Sequence, residues 1–226
     1  MGILIAILVM GAWGAHLYYI LTGVDVALDN PWMYVHLLIQ TYLYTGLFIT
    51  GHDAMHGTVS KSRKVNDVVG FLSALLFAGL SYGKLKKNHG RHHKYPATEK
   101  DPDYFVKSQN FWLWWGMFVW RYLTVTQILI MAGIYNLLKY VGGIAEPSIV
   151  VFWIAPAILG TLQLFFFGTY LPHRQSHTDQ MQPHKARTQK KNHLWAMISC
   201  YFFGYHYEHH DAPHTPWWKL YKSKQT

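Results

Sequence analysis

The sequence predicts an all-α integral membrane protein with about four transmembrane helices plus interfacial helices, forming a single membrane-embedded domain over residues 1–226. Three observations carry this reading. Long uncharged apolar stretches recur along the chain, its histidines gather in three groups with helical spacing, and its basic residues crowd around those groups.

Gly2–Gly23 is apolar except for His16 and Thr22, and Pro31–Gly51, Tyr122–Leu138 and Ser148–Leu171 carry no charge. Each approaches the ~20 residues that cross ~30 Å of hydrocarbon as a helix. The first stretch has no basic region ahead of its apolar run, so it reads as a retained helix rather than a cleaved signal. Val68–Gly83 is short for a crossing, and the histidines on either side of it must reach the same face. It is therefore expected to be interfacial or re-entrant. Lys94–Asn110 reads as a loop, Phe111–Trp120 as an aromatic belt at the membrane boundary, Arg174–Asn192 as a basic loop, and His193–Gly204 as a short apolar helix along the interface.

Charge orients these spans. Lys and Arg number 20 against 11 Asp and Glu, a net charge of +9. Lys61, Arg63, Lys64, Lys84, Lys86, Lys87, Arg91, Lys94, Arg174, Lys185, Arg187, Lys190, Lys191, Lys219, Lys222 and Lys224 all flank the histidine groups, whereas the loops Val24–Asn30 and Lys139–Glu146 hold only Lys139. The positive-inside rule places the histidines and both termini on the cytoplasmic side. The excess charge then reads as topology and attraction to anionic headgroups. No basic stripe falls on a soluble module, so nucleic acid is not an expected partner.

His52 and His56 are spaced i, i+4; His89, His92 and His93 follow i, i+3, i+4, as do His206, His209 and His210. Residues so spaced share one helix face and can aim at a common point. Eight neutral imidazoles suffice to ligate two metal ions, whereas a single structural zinc needs only four ligands. A di-metal site on the cytoplasmic face follows, although imidazole suits Zn, Cu, Fe and Ni alike. Two divalent ions among neutral ligands favour nearby carboxylates that orient the rings or bridge to solvent. Asp53, Glu208 and Asp211 lie in or beside the groups, and Asp101 and Asp103 follow the second one; Asp53 and Glu208 are the candidates for a supporting catalytic role. Cys200 is the single cysteine, which excludes an intrachain disulfide, a four-Cys iron–sulfur cluster and a Cys-based zinc site.

An H-x-x-x-H box followed by two H-x-x-H-H boxes resembles the membrane di-iron superfamily of fatty-acid desaturases, alkane hydroxylases and carotenoid oxygenating enzymes. More narrowly, His52-Asp-Ala-Met-His56-Gly, Thr169-Tyr-Leu-Pro-His173-Arg and His206-Tyr-Glu-His209-His210 with downstream Pro-Trp217-Trp218-Lys are similar to the bacterial and cyanobacterial β-carotene ketolases. The resemblance implies a desaturase-like fold, two iron ions and O2 as co-substrate. It implies oxidation of β-carotene at C4 and C4′, through echinenone to canthaxanthin. It adds His173 as a further ligand at a helix end, with Thr169 where the superfamily pattern has Asn, and ranks His177 behind it. Without a cysteine set or a dinucleotide fingerprint in the chain, electrons come from a separate carrier, ferredoxin-like by resemblance. The setting it implies is the bacterial inner membrane or a cyanobacterial membrane.

Readings from the same residues include a carotenoid ring hydroxylase, a fatty-acid desaturase or alkane hydroxylase, and, in another class, a metal transporter. A transporter predicts ionisable residues along a mid-membrane pathway, while here the groups gather at one face. His16 and His36 fall inside predicted helices, where one hydrogen bond to a neighbouring helix satisfies each.

Overall fold

A computed structural model describes residues 1–223, so Lys224 lies outside the described residues. The architecture is helical: among the described residues the one β feature is an isolated antiparallel bridge between Thr188 and Tyr205. The first long helix, α1 (Gly2–Gly23), packs against α2 (Pro31–Met55), which Asn30 caps by accepting from the Trp32 N–H, with Pro31 in the first turn. A short turn leads to α3 (Arg63–Ala78), which is capped by Ser62.

The apolar run expected to form one helix over Val68–Gly83 is broken. Gly79 adopts φ +65°, Ser81 caps a new helix, α4 (Tyr82–Lys94), and the two axes meet at 104°. Hydropathy does not register such a corner, because Gly79-Leu80-Ser81 is barely polar while its backbone reverses. Lys86 reaches back to Asp67 at 2.6 Å, tying α4 to the early turns of α3. The expected helix Tyr122–Leu138 is corrected likewise. Tyr122 closes α5 (Phe111–Tyr122), Thr124 caps α6 (Val125–Asn136), which leaves α5 at an 88° bend, and a π turn, Leu137–Val141, extends α6. Within α5, Trp112 and Trp120 are exposed as a belt requires, but Trp114 is buried and donates its indole N–H to the Asp103 carbonyl at 2.7 Å.

The last long helix, α7 (Glu146–His173), is interrupted by π turns at Val150–Ile154 and Phe166–Tyr170. A basic loop follows, then α8 (His193–Cys200), which ends where Tyr201 takes a left-handed conformation, and α9 (His206–Asp211). Gly2–Gly23 and Glu146–His173 are each long and apolar enough to cross a membrane, and the two bent pairs pass the same test only when each is taken together. With 25 residues α2 has the length, roughly 37 Å, and is less apolar.

Several of its polar side chains find partners across helix interfaces, as an apolar surround favours. Thr45 meets Gln163 at 2.5 Å, Gln163 donates to the Ser199 carbonyl at 2.7 Å, and His16 sits 2.6 Å from Gln40 and 3.1 Å from His36. Small residues let the backbones approach: Gly51 of α2 faces Ser73 of α3, and Gly160 of α7 faces Tyr44 and Phe77. The central packing joins Trp13, Tyr44, Leu47, Phe77 and Phe152. Outward, Ile7, Leu8, Ile128 and Leu129 are exposed, and α6 buries none of its residues. Apolar side chains turned outward along long helices mark a protein of the membrane, where such a surface meets lipid.

Candidate metal centre

Four chain segments bring histidines to one end of the bundle. The last turn of α2 carries His52, and His56 is its C-terminal cap; α4 carries His89, His92 and His93; α7 ends on His173; and α9 carries His206, His209 and His210. The helix periodicity that made the sequence groups suggestive turns each set of rings toward the same interior point.

The rings form two adjacent groups. His52, His56, His89, His93 and His209 make one, and His92, His173, His206 and His210 the other, with the ligating atoms of each within 4.8 Å of one another. In the first, His89 Nε2 lies 2.7 Å from His56 Nε2 and 3.0 Å from His93 Nε2, which is itself 3.0 Å from His209 Nε2. In the second, His210 Nε2 is 3.1 Å from both His92 Nε2 and His206 Nε2. Each neutral ring has at most one N–H, so one imidazole nitrogen cannot serve two or three like neighbours at once. Two nitrogens bound about 2.1 Å from one ion, at a right angle, stand about 3 Å apart. Convergent Nε2 atoms at these separations fit a cation between them.

The outer ring nitrogens support that assignment. His92 Nδ1 donates to Asp101 at 3.0 Å, and His173 Nδ1 donates to the Lys185 carbonyl at 2.9 Å. A proton fixed at Nδ1 leaves the Nε2 lone pair pointing inward. His52 Nε2 and His173 Nε2 are buried with no partner in the protein, an arrangement that a bound ion resolves. Burial first, and then the neighbouring imidazoles, hold His206, His209 and His210 well below the ordinary histidine range, so all three are neutral, the form in which an imidazole can bind a metal.

Asp101 anchors the loop behind His92. It also accepts from the backbone N–H groups of Ala97 at 2.9 Å and Asp103 at 2.8 Å. Burial pushes its carboxyl up, but His92 and these hydrogen bonds outweigh that and hold it below the usual carboxylate range. Burial pushes Asp103 up to about 6, with the charge of Asp101 adding to the effect and His92 opposing it. Asp103 accepts a short hydrogen bond from the Tyr122 hydroxyl.

The other acidic candidates lie elsewhere. Asp53 is buried and accepts from the Trp217 N–H at 3.2 Å, pinning the C-terminal segment to α2. Glu208 is buried with Oε2 unpartnered, and Asp211 pairs with His184 at 3.4 Å. His177 stands outside both groups, its Nε2 on the His173 carbonyl at 2.9 Å. Sequence reasoning did not single out Arg187. Its guanidinium donates to the carbonyls of Arg174 and Ser176 at 2.5 Å each, bracing the loop that follows His173. Nothing local in the sequence marks that contact, which spans more than ten residues.

A small, mostly apolar cavity adjoins the rings. His52, His89, His92 and His206 line it together with Asp103, Thr169 and Phe203, whose ring is 5.0 Å from that of His52. Phe48, Leu85, Phe118, Tyr122 and Leu164 form both this wall and that of a second, almost wholly apolar cavity reaching Phe77, Leu80 and Leu123 at the two helix corners. The second cavity thus lies at the bends in α3–α4 and α5–α6 and shares a wall with the one at the histidines.

A family model described as "Fatty acid desaturase" matches residues 29–141 and 118–224. A β-carotene ketolase of Paracoccus sp. (strain PC1) is 39% identical over 188 residues, covering 82% of this chain and 76% of that protein. Another from Paracoccus sp. (strain N81106 / MBIC 01143) is 36% identical over 214 residues, covering 94% and 87% respectively. A zeaxanthin 4-ketolase of Chlamydomonas reinhardtii is 36% identical over 221 residues, 96% of this chain; this chain spans 50% of the algal protein's length. The histidine boxes, the helical fold that gathers them and these relatives agree: the chain belongs to the fatty acid desaturase family, on the branch that holds the β-carotene ketolases.

Proposed function

We propose that this chain is a β-carotene ketolase, an oxygenase that introduces keto groups at C4 and C4′ of β-ionone rings, giving echinenone and then canthaxanthin. The observation that carries the reading is the meeting of two histidine groups, of five and four residues, with a mostly apolar cavity, the inner end of the proposed substrate channel. His52, His56, His89, His93 and His209 would hold one iron and His92, His173, His206 and His210 the other, with two irons preferred over zinc because the reaction needs redox-active metal. When bound there, the irons supply O2 activation and oxidation of an allylic C–H bond.

The protein's own part is binding and orientation. Phe48, Leu85, Phe118 and Leu164 accept an apolar ring and polyene, and Phe203 and Leu164 keep water from the histidines. Asp101 orients His92 and the Lys185 carbonyl orients His173. Tyr122, donating to Asp103 Oδ1, holds a proton at the channel wall. Each oxidation consumes one O2, two electrons and two protons, converting C–H to C–OH and releasing water. A second at the same carbon gives a geminal diol, whose loss of water leaves the ketone.

The topology proposed is four crossings by α1, α2, α6 with its π turn, and α7, with α3 and α4 re-entrant and residues 1–226 acting as one domain. The basic residues around the histidines support a cytoplasmic site; the setting proposed is a bacterial inner or cyanobacterial membrane, with a ferredoxin-like carrier delivering electrons on that side.

Expression in cells that accumulate β-carotene, with chromatography of the pigments, tests the proposal. Echinenone and canthaxanthin are expected, and both are abolished by His92→Ala or His209→Ala. Zeaxanthin instead assigns a ring hydroxylase, and unchanged β-carotene overturns the carotenoid reading.

A further inference from the structure

The geometry points to a binding site for one anionic phospholipid beside His173, in a groove between the end of α7 and the start of α8. Arg174, Arg187, Lys190 and Lys191 are among its lining residues, none of which is acidic. Phe166 and Phe167 of the π turn in α7 and Trp195 of α8 add aromatic surface to the same lining. The groove thus sets cations beside apolar aromatic surface, the two kinds of contact that a phosphate headgroup and the acyl chain attached to it require.

The neighbouring contacts fit a headgroup rather than a soluble anion. Lys191 Nζ lies 4.1 Å above the Trp195 ring, and the Arg174 guanidinium lies 5.7 Å from the Tyr170 ring, so both cations stand on apolar aromatic surface. Thr188, another lining residue, has a buried hydroxyl without a partner in the protein. Leu194, Trp195 and Ile198 expose an apolar face of α8, which is expected of a helix lying in the interface. This inference rests on the membrane setting and not on the reaction catalysed. It differs from general attraction of a basic surface to anionic lipid by assigning the headgroup to Arg174, Lys190 and Lys191, with Arg187 holding the loop that carries Arg174.

The location also ties lipid to the metal centre. Arg174 follows His173 in the chain, and Arg187 braces the same loop through the carbonyls of Arg174 and Ser176. An occupied groove covers the loop that sets His173.

The test uses the full-length protein purified in a neutral detergent and stripped of lipid. Phosphatidylglycerol or phosphatidylcholine is added, with bound lipid counted by native mass spectrometry and stability followed as Tm. About one phosphatidylglycerol per chain is expected to bind and raise Tm, with no matching effect from phosphatidylcholine or inorganic phosphate. The Arg174→Gln/Lys190→Gln variant is expected to weaken phosphatidylglycerol binding by roughly 30-fold, from two surface cations lost. Lys61→Gln/Lys64→Gln, which removes the same charge elsewhere, is expected to bind like the parent. Equal weakening in the two variants reduces the effect to net charge and overturns the site, as does an equal response to inorganic phosphate or to phosphatidylcholine. Because lipid is counted directly, failure of ketolase activity leaves the result readable.

Discussion

Asp101 receives the Nδ1 proton of His92 and two backbone N–H groups, so one buried carboxylate fixes both a ring and the loop behind it. Asp101→Asn keeps the volume but removes the charge and leaves the amide to choose between accepting and donating. Iron retention against a chelator is expected to fall about 10- to 100-fold while helix content by circular dichroism holds. Unchanged retention would remove Asp101 from the account of the centre. The eight box histidines were legible in the sequence because helical spacing is a local property, and His173 was legible from its motif. The carboxylate on His92 was visible only as a nearby Asp-Pro-Asp, since the turn that delivers Asp101 has no period to read. Arg187 had no signal at all, because its role depends on two loop segments meeting in space.

At the scale of elements, the corner between α3 and α4 decides where three of the histidines stand. Gly70 lies directly under the Tyr82 ring, so a Cβ there collides with it and pushes α4 off α3. Gly70→Ala is expected to cost about 1–3 kcal/mol by overpacking. The change reads as a lower Tm and as weaker metal retention, because α4 carries His89, His92 and His93. A Tm equal to the parent's would show that the two helices are not held by this contact. Hydropathy located α1 and α7 well because their apolar stretches are long and continuous. It merged α3 with the start of α4 because a window average passes over Ser81, and it placed Tyr122 in the wrong helix because Leu123-Thr124 is a short, weakly polar break. The capping residues Ser81 and Thr124 were the available signals, since both side chains accept from helix N–H groups just beyond them.

Over the whole molecule, helices with apolar outer faces hold a cluster of neutral imidazoles at one end and leave apolar cavities beside it near two bends. Neutral ligands, buried and close together, repel nothing until they are protonated, so acid and chelators attack the same assembly. Stripping the metal is expected to lower Tm and to loosen α9 in particular, because His206, His209 and His210 join that short helix to α2, α4 and α7. Hydrogen exchange at residues 206–211 before and after chelation reads this directly, and equal protection in the two states would mean that the fold alone holds α9. The helical architecture was legible because long apolar stretches write themselves along the chain; the cavities were not, since they lie between side chains from distant segments.

The most direct measurement is the metal content of the purified full-length protein, by elemental analysis with Mössbauer spectroscopy of iron-57-enriched samples. Two tightly held irons per chain are predicted, falling when His89 and His209 or His206 and His210 are replaced in pairs. A single iron, or exchangeable zinc in its place, would contradict a di-iron centre built on these nine histidines.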